Sequence, residues 1–315
     1  MQQVNLTGNV AILGATSYLA KDFISNALLN SNYELSLFSR RPDELLSYLK
    51  QIGHTNNFSC LPIEDFGKEP YIAIINFIGV GDPARAKSLG IKILEITLHY
   101  DQLVLDYLCN NSETKYVFMS SGAAYGTTFN TPVTKDSNAE IPINSLRTSN
   151  FYSIAKLYSE TLHRARKDFT IFDIRIFNYF SRTIELTTRY LITDLINAIR
   201  TNSIFKTDNN QIMRDFLHPQ DLFQLIQKCL HAPIGSNMPL DAYTQAPISK
   251  MDLLKILENE FGLRYEIVST ANTIDATGIK PNYYSKNHRA ADIGYSPTFS
   301  SKSGVIEEAR FILDL

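Results

Sequence analysis

The chain has 315 residues, of which 44% are hydrophobic or aromatic, and carries 30 Lys plus Arg against 32 Asp plus Glu. That length implies one large domain or two interlocked ones with a full core. The near balance of charge and the lack of a basic block exclude a phosphate-neutralising surface, so nucleic acid is not an expected partner.

Taken in order, short apolar runs alternate with helix-like stretches. Val10–Leu13 reads as a strand and runs into GATSYLA (Gly14–Ala20), after which Leu19–Leu29 is periodic, with Leu19, Phe23 and Ala27 on one face. Leu35–Phe38 is the next strand and leads into SRRPDEL. The most apolar run, YIAIINFIGV (Tyr71–Val80), holds a strand at Ile72–Ile78 and falls short of the roughly 20 residues a membrane span needs. A helix over Ile91–Cys109, a strand over Tyr116–Met119, a helix over Phe151–Arg166 and a strand over Thr170–Ile176 complete the first half.

Strands separated by helices of this length cannot be hairpins, so the sheet is expected to be parallel and doubly wound. Its ligands then lie at the carboxyl ends of the strands. Beyond Asn178 the pattern loosens: a helix over Thr188–Arg200, a short extended piece, then RDFLHPQDL (Arg214–Leu222) entering a helix that runs to about Leu230, and a tail with a helix at Lys250–Phe261. The expected division is a dinucleotide-binding domain over 1–178, with 215–231 returning to it, and a smaller, interleaved substrate-binding lid over 179–315.

Three further features narrow the setting. Cys60, Cys109 and Cys229 are scattered in apolar or helical surroundings, which suits a reduced cytoplasmic interior better than a disulfide framework. The opening MQQVNLTGNV lacks a signal-peptide profile. No HxH or HExxH spacing occurs among the six histidines, so no protein-bound metal is expected.

GATSYLA has one glycine where a dinucleotide fingerprint usually has three. Gly14 would make the tight turn, while Ser17 and Ala20 stand at the second and third positions. Backbone N–H groups opening the next helix still point at an anion, because orphan donors at a helix start do not depend on glycine. A plain strand-to-helix turn remains the alternative. About 20 residues on, where NAD-binding units carry a carboxylate for the ribose, the chain has Ser39, Arg40 and Arg41. Two guanidiniums and a hydroxyl suit a 2′-phosphate; otherwise they are a solvated pair before a helix capped near Asp43.

Only Tyr152, in YSIAK, is followed four residues later by lysine, at Lys156. On a helix this puts an ammonium beside a phenol, with the expectation that the phenol ionises below its ordinary value near 10. FMSSGAAYG (Phe118–Gly126), after a strand, offers a hydroxyl at the carboxyl end.

GATSYLA, SSGAAYG, YSIAK, RIFN (Arg175–Asn178), RDFLHPQDL and the tail Ser285–Glu308 resemble, in order and approximate spacing, the extended short-chain dehydrogenase/reductases: the NAD(P)-dependent epimerase/dehydratase family, which acts mainly on nucleotide sugars. The resemblance spans nearly the whole chain and implies a Rossmann domain. It implies catalytic roles for Ser121, Tyr152 and Lys156, with Ser120 the alternative hydroxyl if the register slips. Cofactor contacts are implied at Gly14, Thr16, Ser17, Tyr18, Leu19, Ser39, Arg40, Arg41, Ile78, Gly79, Tyr152 and Lys156. Substrate contacts are implied at Ser120, Gly122, Asn178 and Arg214, the last two near the diphosphate; alternatively Asn178 caps a turn and Arg214 pairs with Asp215 or Asp221. His218 reads as a packing and hydrogen-bonding residue. The family's homodimer would pack the helices near Ile91–Cys109 and Phe151–Arg166 together.

Dehydratase members carry an Asp-Glu pair after the catalytic hydroxyl, where this chain has Gly122 and Ala123, so a 4,6-elimination has no acid or base. Two reactions remain. In a 4-keto-sugar reductase, Tyr152 protonates the oxygen of a carbonyl reduced by NADPH; in a C4 epimerase, it takes the hydroxyl proton as NAD+ is reduced, and the keto sugar turns over before the reverse step. The SRR element favours NADP(H), with NAD(H) the alternative, and hence the reductase. A non-catalytic NAD(P)-binding sensor is the third reading.

Overall fold

The structure, a computed structural model, describes residues 7–80, 83–268 and 280–315. In chain order its first half comprises β1 (Gly8–Leu13), α1 (Tyr18–Asn30), β2 (Tyr33–Ser39), α2 (Pro42–Gln51), β3 (Phe58–Pro62), β4 (Ala73–Asn76), α3 (Pro83–Leu89), α4 (Lys92–Asn110), β5 (Lys115–Ser121), α5 (Thr148–Ala165) and β6 (Ile171–Ile176). The second half adds β7 (Asn178–Tyr179), α6 (Leu191–Arg200), β8 (Ile204–Thr207), β9 (Met213–Arg214), β10 (Phe216–Leu217), α7 (Pro219–His231), β11 (Asn237–Asp241), β12 (Ile248–Ser249), α8 (Lys250–Phe261), β13 (Arg264–Ile267), β14 (Asn282–Tyr283) and α9 (Ser301–Ile312).

Seven strands form one sheet in the order β11-β6-β5-β4-β1-β2-β3, with every pairing parallel. The order reverses at β1, whose neighbours are β2 on one side and β4 on the other. That switch point opens a crevice at the carboxyl ends of β1 and β4. The central strands are buried on both faces: Val10 to Leu13, Ile74, Ile75, Tyr116, Val117 and Phe118 have no accessible surface. This explains why they read as unbroken apolar runs.

Besides β11, where no strand is expected, two elements of the sheet depart from the expected pattern. β3, with the sequence FSCLP, lies at the edge and is only partly buried, so it lacks the apolar run that marks the other strands. β4 stops at Asn76, two residues before the expected end, because the Asn76 side chain turns back to accept from the Ile78 N–H at 2.9 Å.

The chain beyond Asn178 contributes to both halves of the molecule. α7 packs on α1, and β11 extends the sheet beside β6. A second core gathers Leu195, Ile196, Leu253, Leu254, Leu257 and Ala309 from α6, α8 and α9. The connection between the two is pinned twice. Tyr179 and Thr183 donate to the buried Asp22 of α1 at 2.7 and 2.9 Å, and Arg182 forks onto Glu308 of α9. Among the described residues no helix is long and apolar enough to cross a membrane.

Candidate active site

The loop after β1 explains its shortage of glycine. Only Gly14 needs one: its φ is +73°, and a Cβ there would stand 2.9 Å from the Ile78 nitrogen. Ser17 sits at φ −69° and ψ 152°, open to any residue, and serves as the N-cap of α1 by accepting from the Ala20 N–H at 3.3 Å. Ala20 is buried in the core, where a methyl fits. Among the described residues, the Tyr18 and Leu19 N–H groups donate to no protein acceptor, which leaves the start of α1 furnished for an anion.

At the end of β2, Ser39 is buried and its hydroxyl accepts from the Arg41 N–H at 3.2 Å. Arg40 and Arg41 are exposed, and Arg41 pairs with Glu44 at 2.9 Å. The first basic side chain after the strand is therefore directed to solvent rather than into a protein ion pair with Glu44.

Across the crevice, β5 delivers two serines with different partners. Ser120 donates to Glu160 of α5 at 2.6 Å, and Glu160 is in turn gripped by the Arg175 guanidinium. Ser120 is thus committed to an ion-pair network. Ser121 instead accepts from the Ala123 N–H at 3.1 Å, lies 3.3 Å from the Tyr283 hydroxyl, and is the hydroxyl that favours ionisation of the Tyr152 phenol. The hydroxyl facing the phenol is Ser121.

Tyr152 and Lys156 share one face of α5. The Lys156 ammonium is fully enclosed; it donates to the Met119 carbonyl at 2.7 Å, lies 4.3 Å from the Phe118 ring centre and 5.9 Å from that of Tyr152. A Cβ on Gly79 would stand 3.7 Å from it, so the ammonium lies against the backbone that follows β4. Burial lowers Lys156 to about 8, against the opposing pull of Asp101, Glu160 and Asp173.

The Tyr152 phenol departs from the expected direction. Burial raises it above 10, and the Ser121 hydrogen bond only holds that rise back. The reason is geometric: the ammonium points to the Met119 carbonyl, so desolvation of the phenol outweighs the cation's attraction.

The remaining predicted contacts have identifiable partners. Gly122 is walled by Phe177, whose ring carbon would lie 2.4 Å from an added Cβ. Asn178 donates to the carbonyls of Asp215 and Tyr283 at 3.3 and 3.2 Å. Arg214 donates to the Met213 and Lys280 carbonyls at 2.8 and 2.7 Å. The two expected alternatives for Arg214 are taken up elsewhere: Asp215 by Thr244 and Ser301, Asp221 by the N–H groups of Thr298 and Phe299.

His218 stacks on Phe299 at 3.7 Å and accepts from the Gln220 N–H through Nδ1, as a packing residue should. Its Nε2 lies 3.3 Å from Glu308 and 3.6 Å from Glu307. Burial alone would raise Glu308, but His218 and Arg182 bring it down to about 2. Glu308 therefore joins His218 at the start of α7 to Arg182 in one cluster.

A glycine turn between β1 and the end of β4, the start of α1, and a serine, phenol and ammonium thus line one crevice. Residues 10–237 match the NAD dependent epimerase/dehydratase family. The chain belongs to that family. No curated protein matches it. Its fold is that of a UDP-glucuronic acid 4-epimerase variant from Bacillus cereus, solved with UDP-4-deoxy-4-fluoro-glucuronic acid and NAD (TM-score 0.77, 16% identity, 97% of this chain and 99% of that one). UDP-glucose 4-epimerase from Bifidobacterium longum, with NAD+ and UDP, is similar at TM-score 0.78 and 17% identity over 97% and 98% of the chains. So is dTDP-glucose 4,6-dehydratase from Bacillus anthracis, with NAD, at 0.74 and 16% over 96% of each.

In this member of the epimerase/dehydratase family two site residues lie outside the sequence motifs. Tyr283 reaches Ser121 from β14, 162 positions away. Glu160, one turn beyond Lys156, holds Ser120 and Arg175. Glu160 had a signal, since YSIAKLYSE places it on the Tyr152–Lys156 face; Tyr283 had none, because only the β9–β14 pairing brings it in.

Proposed function

We propose that the protein is an NAD(P)-dependent oxidoreductase acting on a nucleotide sugar, most specifically a 4-keto-sugar reductase that uses NADPH. The observation that carries this reading is the meeting of Ser121, Tyr152 and Lys156 beside the Gly79 backbone, opposite the Gly14 turn. The residues present fit a dinucleotide: Gly14 leaves space a Cβ would fill, and the opening N–H groups of α1 are available for a pyrophosphate. Gly14, Thr16, Ser17, Tyr18 and Leu19 would hold the phosphates, Ile78 and Gly79 the nicotinamide side, and Ser39, Arg40 and Arg41 the adenosine ribose and its 2′-phosphate.

A bound nicotinamide supplies hydride transfer at the sugar carbon. Tyr152, protonated throughout the working range because burial raises it, gives its proton to the carbonyl oxygen. Ser121 donates a hydrogen bond to the same oxygen as negative charge gathers there. Lys156 stabilises the resulting phenolate until it is reprotonated. Asn178 and Arg214 would meet the diphosphate.

The second reading is a C4 epimerase, favoured by the NAD-bound 4-epimerases that share this fold. The same three residues serve it, with Tyr152 acting first as base. Treating the protein with a 4-keto nucleotide sugar and following NADPH absorbance separates the two. Consumption of NADPH is expected; no consumption, with NAD+ copurifying in stoichiometric amount, overturns the reductase in favour of the epimerase.

A further inference from the structure

The Ser121 hydroxyl has one proton and two lone pairs, and its three neighbours can be counted against them. The Ala123 N–H fills one lone pair from 3.1 Å. The Tyr283 hydroxyl lies 3.3 Å away, and either oxygen can donate to the other; with Tyr283 as the donor the second lone pair is filled. What remains is the single Ser121 proton and one neighbour, the Tyr152 phenol.

Tyr283 is held so that this count applies. Its ring lies edge-on to Phe129 and Phe177, with centroids 4.7 and 5.2 Å away, and the Lys280 ammonium sits 4.5 Å from its centre. Its backbone pairs with Arg214 and its carbonyl accepts from Asn178 at 3.2 Å. Gly122 admits the Phe177 ring that forms one wall.

We propose that Tyr283 is a positioning residue of the active site: its hydroxyl donates to Ser121 Oγ and so directs the Ser121 proton to whichever oxygen carries negative charge, the Tyr152 phenolate or the substrate alkoxide. This rests on the reading of Tyr152 as the acid/base. The groups that bear on Tyr152 and its lysine are Tyr18 from α1, Asp101 from α4, Lys156 and Glu160 from α5, Ser121 from β5, and Asp173 from β6, with Arg214 of β9 and Lys280 behind Tyr283. Arg85, on the α3 helix that packs against α5, is exposed. Among these groups Ser121 is the hydroxyl that favours ionisation of Tyr152, and Tyr283 is the side chain in contact with Ser121 Oγ.

Tyr283→Phe keeps the ring and its packing while removing the donor. Ionisation of Tyr152 is read from the tyrosinate absorbance as the difference between each protein and its Tyr152→Phe counterpart, which needs no turnover. The midpoint is expected to rise by about half a pH unit to one unit, and kcat to fall about three- to tenfold with the KM for cofactor unchanged. In a Ser121→Ala background Tyr283→Phe is expected to add nothing, since both act through one hydroxyl. An unmoved midpoint, or a full additional loss in that background, overturns the proposal and reduces Tyr283 to a packing residue. If the midpoint rises but the parent protein turns over no nucleotide sugar, Tyr283 keeps its role and the functional reading fails instead.

Discussion

The two sides of the crevice are built on opposite principles. At the carboxyl end of β5 and the middle of α5, Ser120, Ser121 and Lys156 are buried and partnered by protein atoms: Glu160, Ala123 and Tyr283, and the Met119 carbonyl. At the ends of β1 and β2, the Tyr18 and Leu19 N–H groups take no protein acceptor among the described residues, and Arg40 is exposed. A group that must hold a proton in a defined direction is fixed by its neighbours in advance, because an unmade hydrogen bond inside the protein is costly. A group that meets a charged ligand stays hydrated until the ligand replaces the water. Mutations on the first side are therefore expected to change chemistry, and mutations on the second to change affinity.

Lys156→Met tests the buried side most severely. Turnover is expected to fall by at least about a hundredfold. Stability at neutral pH is expected to rise by roughly 1–3 kcal/mol, because an ammonium that burial lowers to about 8 destabilises the fold relative to the free chain. The sign can be checked by pH in the parent protein. Between about 8 and the ordinary lysine value of 10.5 the unfolded chain binds the proton that the folded one has released, so stability grows with pH while turnover declines. Chemical denaturation at several pH values measures the first, and a kcat profile the second. A variant that loses both turnover and stability would mean that the ammonium is a structural ion-pair partner.

Gly14→Ala tests the ligand side at its one rigid point. With φ at +73° and the Ile78 nitrogen 2.9 Å from the new Cβ, a loss of about 2–4 kcal/mol is expected, with weakened dinucleotide binding. Thermal melts with and without cofactor distinguish the two contributions. The smallest effect is expected from Arg40→Ala: stability within about 0.5 kcal/mol of the parent, and a several-fold drop in the preference for NADPH over NADH. Arg41→Ala should change that preference less, since its guanidinium already pairs with Glu44 at 2.9 Å. Equal discrimination by both variants and the parent would remove the argument for a 2′-phosphate site.

The contrast also governs how much was legible in the sequence. The buried strands β1, β2, β4, β5 and β6 announced themselves as apolar runs, and YSIAK and SSGAAYG placed Tyr152 and Lys156 on a helix and Ser121 at a strand end, as α5 and β5 have them. β3 was silent because an edge strand needs only a weak apolar face. β11 was missed because NMPLD carries a proline and an acid, both accommodated at the outer position beside β6, where Asp241 takes the Tyr125 and Ser285 hydroxyls. Spacing put an ammonium near a phenol but could not tell that the Met119 carbonyl would claim it, which reversed the direction of the Tyr152 shift. Tyr283 arrives through a pairing between distant two-residue strands, and no local pattern encodes that.

The central claim is that Tyr152 carries the proton of a hydride transfer run by a dinucleotide held largely by other residues. The direct test compares the parent with Tyr152→Phe in two measurements on the same preparations: dinucleotide affinity by calorimetry, and turnover of a nucleotide sugar. The account predicts affinity within about twofold and turnover reduced by at least about a hundredfold. Turnover that survives the loss of the hydroxyl, or an affinity that collapses in step with it, would contradict the account.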